Sequence, residues 1–172
     1  NSTKLSNYFM TILRKYNLLN NKHIPHIYKC NSREQQLKLL AGILDADGSY
    51  DNVKKIFEFS QSLEHEKIID DVIYLCRSLG FACYKNKKQT SWTYLGEKKY
   101  GDAWRINISG EGIEQIPTLS PRKQVEPRRQ IKDVLVSGIT VEELPEDDYF
   151  GFAVDGNHRF LLGNFTVTHN TF

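Results

Sequence analysis

The chain has 172 residues, of which 40% are hydrophobic and 12% aromatic, enough for one large packed domain or two small ones. A mean hydropathy of −0.50 and the lack of a long apolar run exclude a membrane-spanning helix. The formal net charge of +2 is small, but it is unevenly spread: bases crowd residues 81–132, and acids follow at Glu142, Glu143, Glu146, Asp147 and Asp148.

A basic block beside an acidic one predicts two functional regions, the first suited to phosphates. Three cysteines, Cys30, Cys76 and Cys83, show no CxxC spacing and are odd in number, which argues against a disulfide framework and predicts an intracellular, reducing compartment. The five histidines make no zinc pattern with them. The opening Asn1-Ser2-Thr3-Lys4 has no leading Met and no signal-peptide pattern, so an internal start is expected.

Residues 4–19 carry Leu5, Phe9, Ile12 and Leu13 at helical spacing, and Asn20-Asn21 breaks the pattern. Pro25 then biases Ile24 away from helix. Ser32 followed by Gln35 reads as a capping box opening a helix over 33–45. Gly48 should end that helix in the left-handed conformation. Strands are predicted at 49–51 and 55–60, with Phe57 and Phe59 on one face. A helix follows over 63–79, with the stripe Ile68, Ile69, Val72, Leu75, Cys76 and Leu79 and a stop at Gly80. Strands are expected at 81–85 and 103–108, with 92–94 extending a hairpin, and a short helix at 111–116 before Pro117. Trp92 and Trp104 read as core or hairpin packing.

Within this order lies Leu40-Ala41-Gly42-Ile43-Leu44-Asp45-Ala46-Asp47-Gly48. It resembles the signature of the LAGLIDADG homing endonucleases, departing only by aliphatic swaps at Ile43 and Leu44. Lys22-His23-Ile24-Pro25 resembles the block that precedes the second copy of that signature in intein endonucleases. The resemblance implies an αββαββα half-domain whose sheet lies along a DNA groove. A helix pair packed through Ala41 and Gly42 would join two helix ends, each giving one carboxylate to a shared metal centre. By resemblance Asp47 is the catalytic metal ligand, Mg2+ is the ion its hard oxygens suit, and Lys123 is the assisting base. Asp45 is expected to brace the helix end. Lys85, Lys87, Lys88, Arg105, Arg128 and Arg129 are candidates for contacts to the phosphates of double-stranded DNA. The chain has one such motif, so the first half is expected upstream.

Beyond Lys132 the texture turns to β. Strands are predicted at 139–142, 149–154, 158–162 and 165–168, with turns at Asp155-Gly156 and Gly163-Asn164. The chain then reads Val167-Thr168-His169-Asn170-Thr171. An Asn amide nitrogen can attack its own backbone carbonyl and cut the chain after Asn170, with a neighbouring imidazole moving the protons. The Thr171 hydroxyl is a nucleophile for acyl transfer. This ending, with Tyr149-Phe150-Gly151-Phe152-Ala153-Val154 and His158-Arg159-Phe160-Leu161, resembles the two C-terminal blocks of inteins, although most inteins have Asp where Gly151 falls. The resemblance implies that Asn170 cyclises, that His169 and His158 assist, and that Thr171 accepts the host segment. No N-terminal intein block is present.

The expectation is therefore an α+β chain: residues 1–132 as the C-terminal half of a LAGLIDADG endonuclease, 133–170 as the closing β-strands of a Hint-type splicing domain, and 171–172 as host sequence. Its partners would be an N-terminal intein segment carrying the first endonuclease half, the DNA target and the host extein, with no membrane. The alternatives are a free-standing LAGLIDADG endonuclease or maturase, which leaves the His-Asn-Thr ending unexplained, and a non-catalytic DNA- or RNA-binding relative.

Overall fold

A computed structural model describes residues 7–131, 133, 134, 136, 138–148 and 150–169. The chain divides into two compact units, Asn1–Gln130 and Ile131–Phe172.

The first unit is built on one helix that runs directly into a sheet. Helix α1 (Tyr8–Lys15) is capped by the Asn7 side chain, which accepts from the amides of Phe9 and Met10. The four-residue α2 (His26–Lys29) follows Pro25. Helix α3 (Arg33–Asp47) buries Gln36, Leu40, Ala41 and Leu44. Ser32 stands at its N-cap, but its hydroxyl makes no cap bond, so the capping box with Gln35 does not form. The first backbone bond of the helix is in place, Gln36 N–H donating to Ser32 O at 2.9 Å.

Two further expectations are corrected at the other end of α3. Gly48 is not left-handed: it has φ −84° and ψ 162° and opens strand β1 (Gly48–Asp51) without a turn. A Cβ there would lie 2.8 Å from Leu44 O, so the position needs glycine for close approach rather than for positive φ. Nor do Ala41 and Gly42 share a face. At 3.6 residues per turn, Ala41 enters the unit's own core while Gly42 stands in the open with no atom within 4 Å of its would-be Cβ.

Strand β2 (Ile56–Ser62) pairs antiparallel with β1, and α4 (Glu66–Ser78) follows a short 3₁₀ turn at Leu63–His65. Helix α4 buries Ile69, Val72, Leu75 and Cys76 as its stripe predicts, and Gly80 at φ +87° ends the segment. Strands β3 (Ala82–Tyr94) and β4 (Glu97–Ser109) form one continuous hairpin where shorter pieces were expected. Its two-residue turn, Leu95-Gly96, has positive φ at both positions (50° and 81°), the geometry that matches strand twist. The sheet order is β1-β2-β4-β3, all antiparallel. Its inner face carries Phe57, Phe59, Cys83, Ile106 and Ile108, packed with Leu40, Leu44, Ile69, Val72 and Leu75 of the helices. The short helix expected at 111–116 is only a 3₁₀ turn, Ile113–Gln115, confined between Gly112 at φ +81° and Pro117.

In the second unit, strands β5 (Arg159–Leu161) and β6 (Val167–His169) pair antiparallel, and the Phe152 ring meets Phe160 at 4.8 Å. The strand expected at 158–162 starts one residue late because His158 is left-handed at φ 57°. The last strand starts late because Phe165 has φ 69°. Residues 139–142 and 150–154 are not strands: they pair with no strand among the described residues, and Ile139, Val141 and Phe150 stay more than four-fifths exposed. Propensity alone does not hold a strand whose ladder bonds have no partner. Tyr149 lies outside the described residues.

One buried ion pair anchors the segment ahead of α3. Asp71 on α4, 7% exposed, accepts from the backbone N–H of Ile24 at 2.8 Å and pairs with the Lys29 ammonium. Replacing Asp71 by Ala leaves a half-buried ammonium and a buried N–H without their carboxylate. The expected cost is about 2–4 kcal/mol, read as a lower urea midpoint at unchanged m-value. Glu34→Ala, which breaks only the exposed pair with Lys38, should leave the midpoint where it is.

Candidate functional site

The end of α3 gathers three of the polar residues singled out in the sequence, Asp45, Asp47 and Lys123. Asp47, the last helical residue, is exposed, and its Oδ2 accepts from the Gln61 amide nitrogen at 3.2 Å. Gln61 Oε1 in turn accepts from the Lys22 ammonium at 3.2 Å. A carboxylate on a helix end, an amide on β2 and an ammonium from the connector before α2 therefore form one chain of hydrogen bonds. They border an open cleft of about 550 Å³, whose other walls include Leu39, Gly42, Ile43 and Ala46.

Asp45, two residues earlier, points elsewhere. Its carboxylate accepts from the backbone N–H groups of Leu119 (2.7 Å) and Ser120 (3.2 Å). Lys123 sits in the same knot, only 6% exposed, and donates to the carbonyls of Leu44 (2.7 Å) and Asp45 (2.9 Å). Leu44 O also accepts from the Gly48 N–H, so Lys123 adds a second bond there, and a cation at this point meets the negative end of the helix dipole. Two of the three ammonium donors of Lys123 are thus committed to the helix that carries Asp47.

While the Gln61 amide turns its nitrogen to Asp47 and its oxygen to Lys22, the donor at Asp47 is a hard carboxylate oxygen. That fits a magnesium-class ion, which keeps several waters and takes one or two carboxylates. Among the described residues no three His, Cys, Asp or Glu stand close enough to share a metal ion.

Strand alternation sorts the six basic residues expected to meet phosphates. Lys88 and Arg105 share the outer sheet face, opposite the helices. Lys85 and Lys87 lie on the inner face, in register with Ile106 and Trp104. Lys85 bonds Glu66 at 2.6 Å and Asp70 at 2.7 Å and lies over the Trp104 ring; Asp70 first, then Glu66, raises its pKa above the ordinary lysine value. Lys87 pairs with Asp102 at 2.8 Å. Arg128 donates to the carbonyls of Lys54 (2.8 Å) and Lys55 (3.1 Å), clasping the β1–β2 turn. Arg129 is exposed.

Trp92 stacks over Gly101 of the hairpin, where a Cβ would come within 3.0 Å of the indole. In the second unit, the His158 and His169 rings meet edge-on with centroids 6.0 Å apart, at the open end of the β5–β6 pair. Asn170 and Thr171 lie outside the described residues.

Sequence reading missed Gln61 and the role of Lys22. The signal for Gln61 was present: Phe57, Phe59 and Gln61 alternate on the inner face, so the third of them meets the helix end. Nothing local marks Lys22, whose partner is 39 residues away.

Comparison with known proteins gives two findings. A family model described as homing endonuclease matches residues 23–116. The replicative DNA helicase DnaB of Mycobacterium intracellulare is similar, 38% identical over 172 aligned residues that cover 92% of this chain and 27% of that protein. The chain thus spans about a quarter of the length of the curated relative it matches. The chain belongs to the homing endonuclease family.

Lys123→Met tests whether the ammonium acts first on the helix end. Loss of two carbonyl contacts in a buried setting should cost about 1–3 kcal/mol, seen in the urea midpoint. Unchanged stability with lost nuclease activity would instead assign Lys123 to the reacting phosphate.

Proposed function

We propose that this chain is the C-terminal part of an intein carrying a LAGLIDADG endonuclease half, and that its host is a DnaB-type replicative helicase. The observation that carries the nuclease half is Asp47 at an open helix end, oriented by Gln61, beside an uncovered strip of small and aliphatic residues. The family match at residues 23–116 supports a nuclease that cuts duplex DNA. Similarity to a helicase over only 27% of its length fits an insertion inside a helicase rather than a helicase fold. A free-standing endonuclease would leave that similarity without an explanation.

In this reading a second helix, from an upstream first half, seats on Leu39, Gly42, Ile43 and Ala46. Gly42 lets the two backbones approach closely. Each helix then presents one carboxylate at the junction, Asp47 being the one from this chain. A bound Mg2+ supplies Lewis-acid stabilisation of the phosphodiester and a more acidic water. The chain's own residues set the geometry: Gln61 fixes the Asp47 carboxylate, and Lys22 fixes Gln61 and places positive charge near the strand to be cut. Lys123 and Asp45 hold the helix end still. The outer sheet face, with Lys88 and Arg105, lies against the DNA.

The second unit performs the splicing chemistry. The Asn170 side-chain nitrogen attacks the Asn170 carbonyl carbon, the bond to Thr171 breaks, and the amine of Thr171 takes up a proton. His169 and His158 serve as proton carriers for that transfer, help worth roughly 10²–10⁴ in rate. The Thr171 hydroxyl accepts the upstream host segment as an ester before the acyl shift that restores a peptide bond. An N-terminal intein segment completes the site.

The two halves are tested apart. With a reporter placed after Phe172 and the N-terminal segment co-expressed, intact mass should show release or ligation at Asn170–Thr171 that Asn170→Ala abolishes. Retention of the full fusion by the parent sequence rejects the splicing assignment. With the upstream endonuclease half co-expressed, in magnesium buffer, Asp47→Asn should lower plasmid nicking at least about 100-fold while leaving duplex affinity within about threefold, since it removes a metal ligand and not a phosphate contact. Equal nicking by both proteins rejects Asp47 as the ligand.

A further inference from the structure

One turn of helix sets a thiol against an imidazole, outside the residues that line the Asp47 cleft. Helix α2 closes with the Cys30 N–H donating to the His26 carbonyl at 3.0 Å, so His26 and Cys30, four residues apart, project from the same side of the turn. Both residues are exposed. Cys30 Sγ lies 3.5 Å from His26 Nε2 and 3.8 Å from Nδ1. The same sulfur lies 3.6 Å from the hydroxyl of Tyr74 on α4. That contact first, then burial, raises the Tyr74 pKa above the ordinary tyrosine value, so the phenol keeps its proton and can donate it to sulfur. Cys76 and Cys83 are buried in the core, which leaves Cys30 as the exposed thiol.

These contacts have the dimensions of a soft-metal chelate. A tetrahedral zinc ion, with bonds of about 2.3 Å to a thiolate and about 2.0–2.1 Å to an imidazole, holds those two atoms about 3.5 Å apart. Ligands four residues apart on one helical face also have the spacing by which paired histidines hold zinc. Because the His26 ring is exposed, rotation about its Cβ–Cγ bond aims a nitrogen lone pair at an ion seated beside the sulfur. The neighbouring Lys29 ammonium is neutralised by Asp71.

We propose that His26 and Cys30 form a binding site for a zinc-class divalent cation, with Tyr74 as the residue that positions the sulfur. The Cys30 thiol gives its proton to solvent, the thiolate and one imidazole nitrogen bind the ion, and water fills the remaining positions. The Tyr74 hydroxyl donates to the thiolate, an outer hydrogen bond of the kind that orients a metal ligand. With two protein ligands the ion exchanges with solvent, unlike the ion of a closed four-ligand structural site. The place of the site in the fold gives it a consequence. Helix α2 is held to α4 by Lys29 with Asp71 and by Cys30 with Tyr74, and Asp71 also holds Ile24, two residues after Lys22. An ion that binds only the folded turn therefore stabilises the connector that carries Lys22. The site stands independently of the nuclease and splicing readings.

Cobalt(II) is the probe, because a cobalt–thiolate bond gives a near-ultraviolet charge-transfer band that oxygen and nitrogen ligands do not. The 172-residue chain, kept reduced with a phosphine and freed of metal, is titrated with Co2+ and then with Zn2+. The parent should develop the band at one Co2+ per chain, and Zn2+ should abolish it. Cys30→Ser should lack the band, while His26→Ala and Tyr74→Phe should each weaken Co2+ binding about tenfold or more. Zn2+ should raise the urea midpoint of the parent more than that of Cys30→Ser. Midpoints measured in chelator establish that each variant folds. No band from the folded parent in excess Co2+ overturns the proposal. So does a band in Cys30→Ser, which would place the ion on another sulfur, or parental affinity in folded His26→Ala, which would leave a thiol without its chelate partner. Parental affinity in Tyr74→Phe overturns the positioning role of that hydroxyl.

Discussion

The first unit depends on a knot at the C-terminal end of α3. Helices end with carbonyls that have no internal partners, and this one ends at the surface beside an open cleft. Lys123 donates to the carbonyl of Asp45 and to that of Leu44, which the Gly48 N–H also reaches, and Asp45 accepts two backbone N–H groups from the segment that carries Lys123. The bonds run in opposite directions between the same two pieces of chain, 74 to 79 residues apart in sequence. Each fixes the geometry in which the other forms. Gly48 completes the arrangement by letting β1 leave the helix with no turn. Asp47 lies between these fixed points, so its carboxylate is positioned by backbone on both sides before any ligand arrives.

That rigidity explains the division of labour between the two acids of the motif. Asp45 and Asp47 are two residues apart and so point to different sides of the helix. One is consumed by the fold and the other is left at the surface with a single amide partner. The lysines divide in the same way. Lys22 reaches the Asp47 side through Gln61, while Lys123 faces the helix end. Two cations thus flank one carboxylate from different segments, neither of them in direct contact with it.

The sequence made much of the first unit legible, because its strongest signals are periodic. The α4 stripe, the Phe57 and Phe59 alternation and the nine-residue motif each predict their element to within a few residues. What it could not disclose depends on long-range geometry. A capping box at Ser32 and Gln35 is a local pattern, and it does not form. The β3–β4 hairpin looked like fragments because Leu95 gives no sign that it will adopt positive φ. Charge was the least readable property. Eleven bases in residues 81–132 suggest one phosphate-binding surface, yet strand alternation sends Lys85 and Lys87 to acids on the inner face. The strands expected at 139–142 and 149–154 fail for a related reason, since a strand is a property of a pair and composition specifies only one member.

The two units also differ in how much of their chemistry is built in. In the first, Asp47 is oriented by residues of its own unit. In the second, the two histidines converge on a three-residue β-pair with little apolar cover, Leu161 and Val167 both being more than half exposed. A short two-stranded pair has too little buried surface to be independently stable in water. Proton transfer at Asn170 requires the imidazoles to stay within hydrogen-bond reach of one peptide bond. Further strands that cover Leu161 and Val167 would therefore do more than finish a fold: by immobilising the pair, they would set the cleavage rate. In the proposed splicing reading, the geometry around Asp47 is largely preorganised whereas that around the two histidines is conditional on assembly, an arrangement that would withhold the irreversible cut at Asn170 until the rest of the splicing domain is in place.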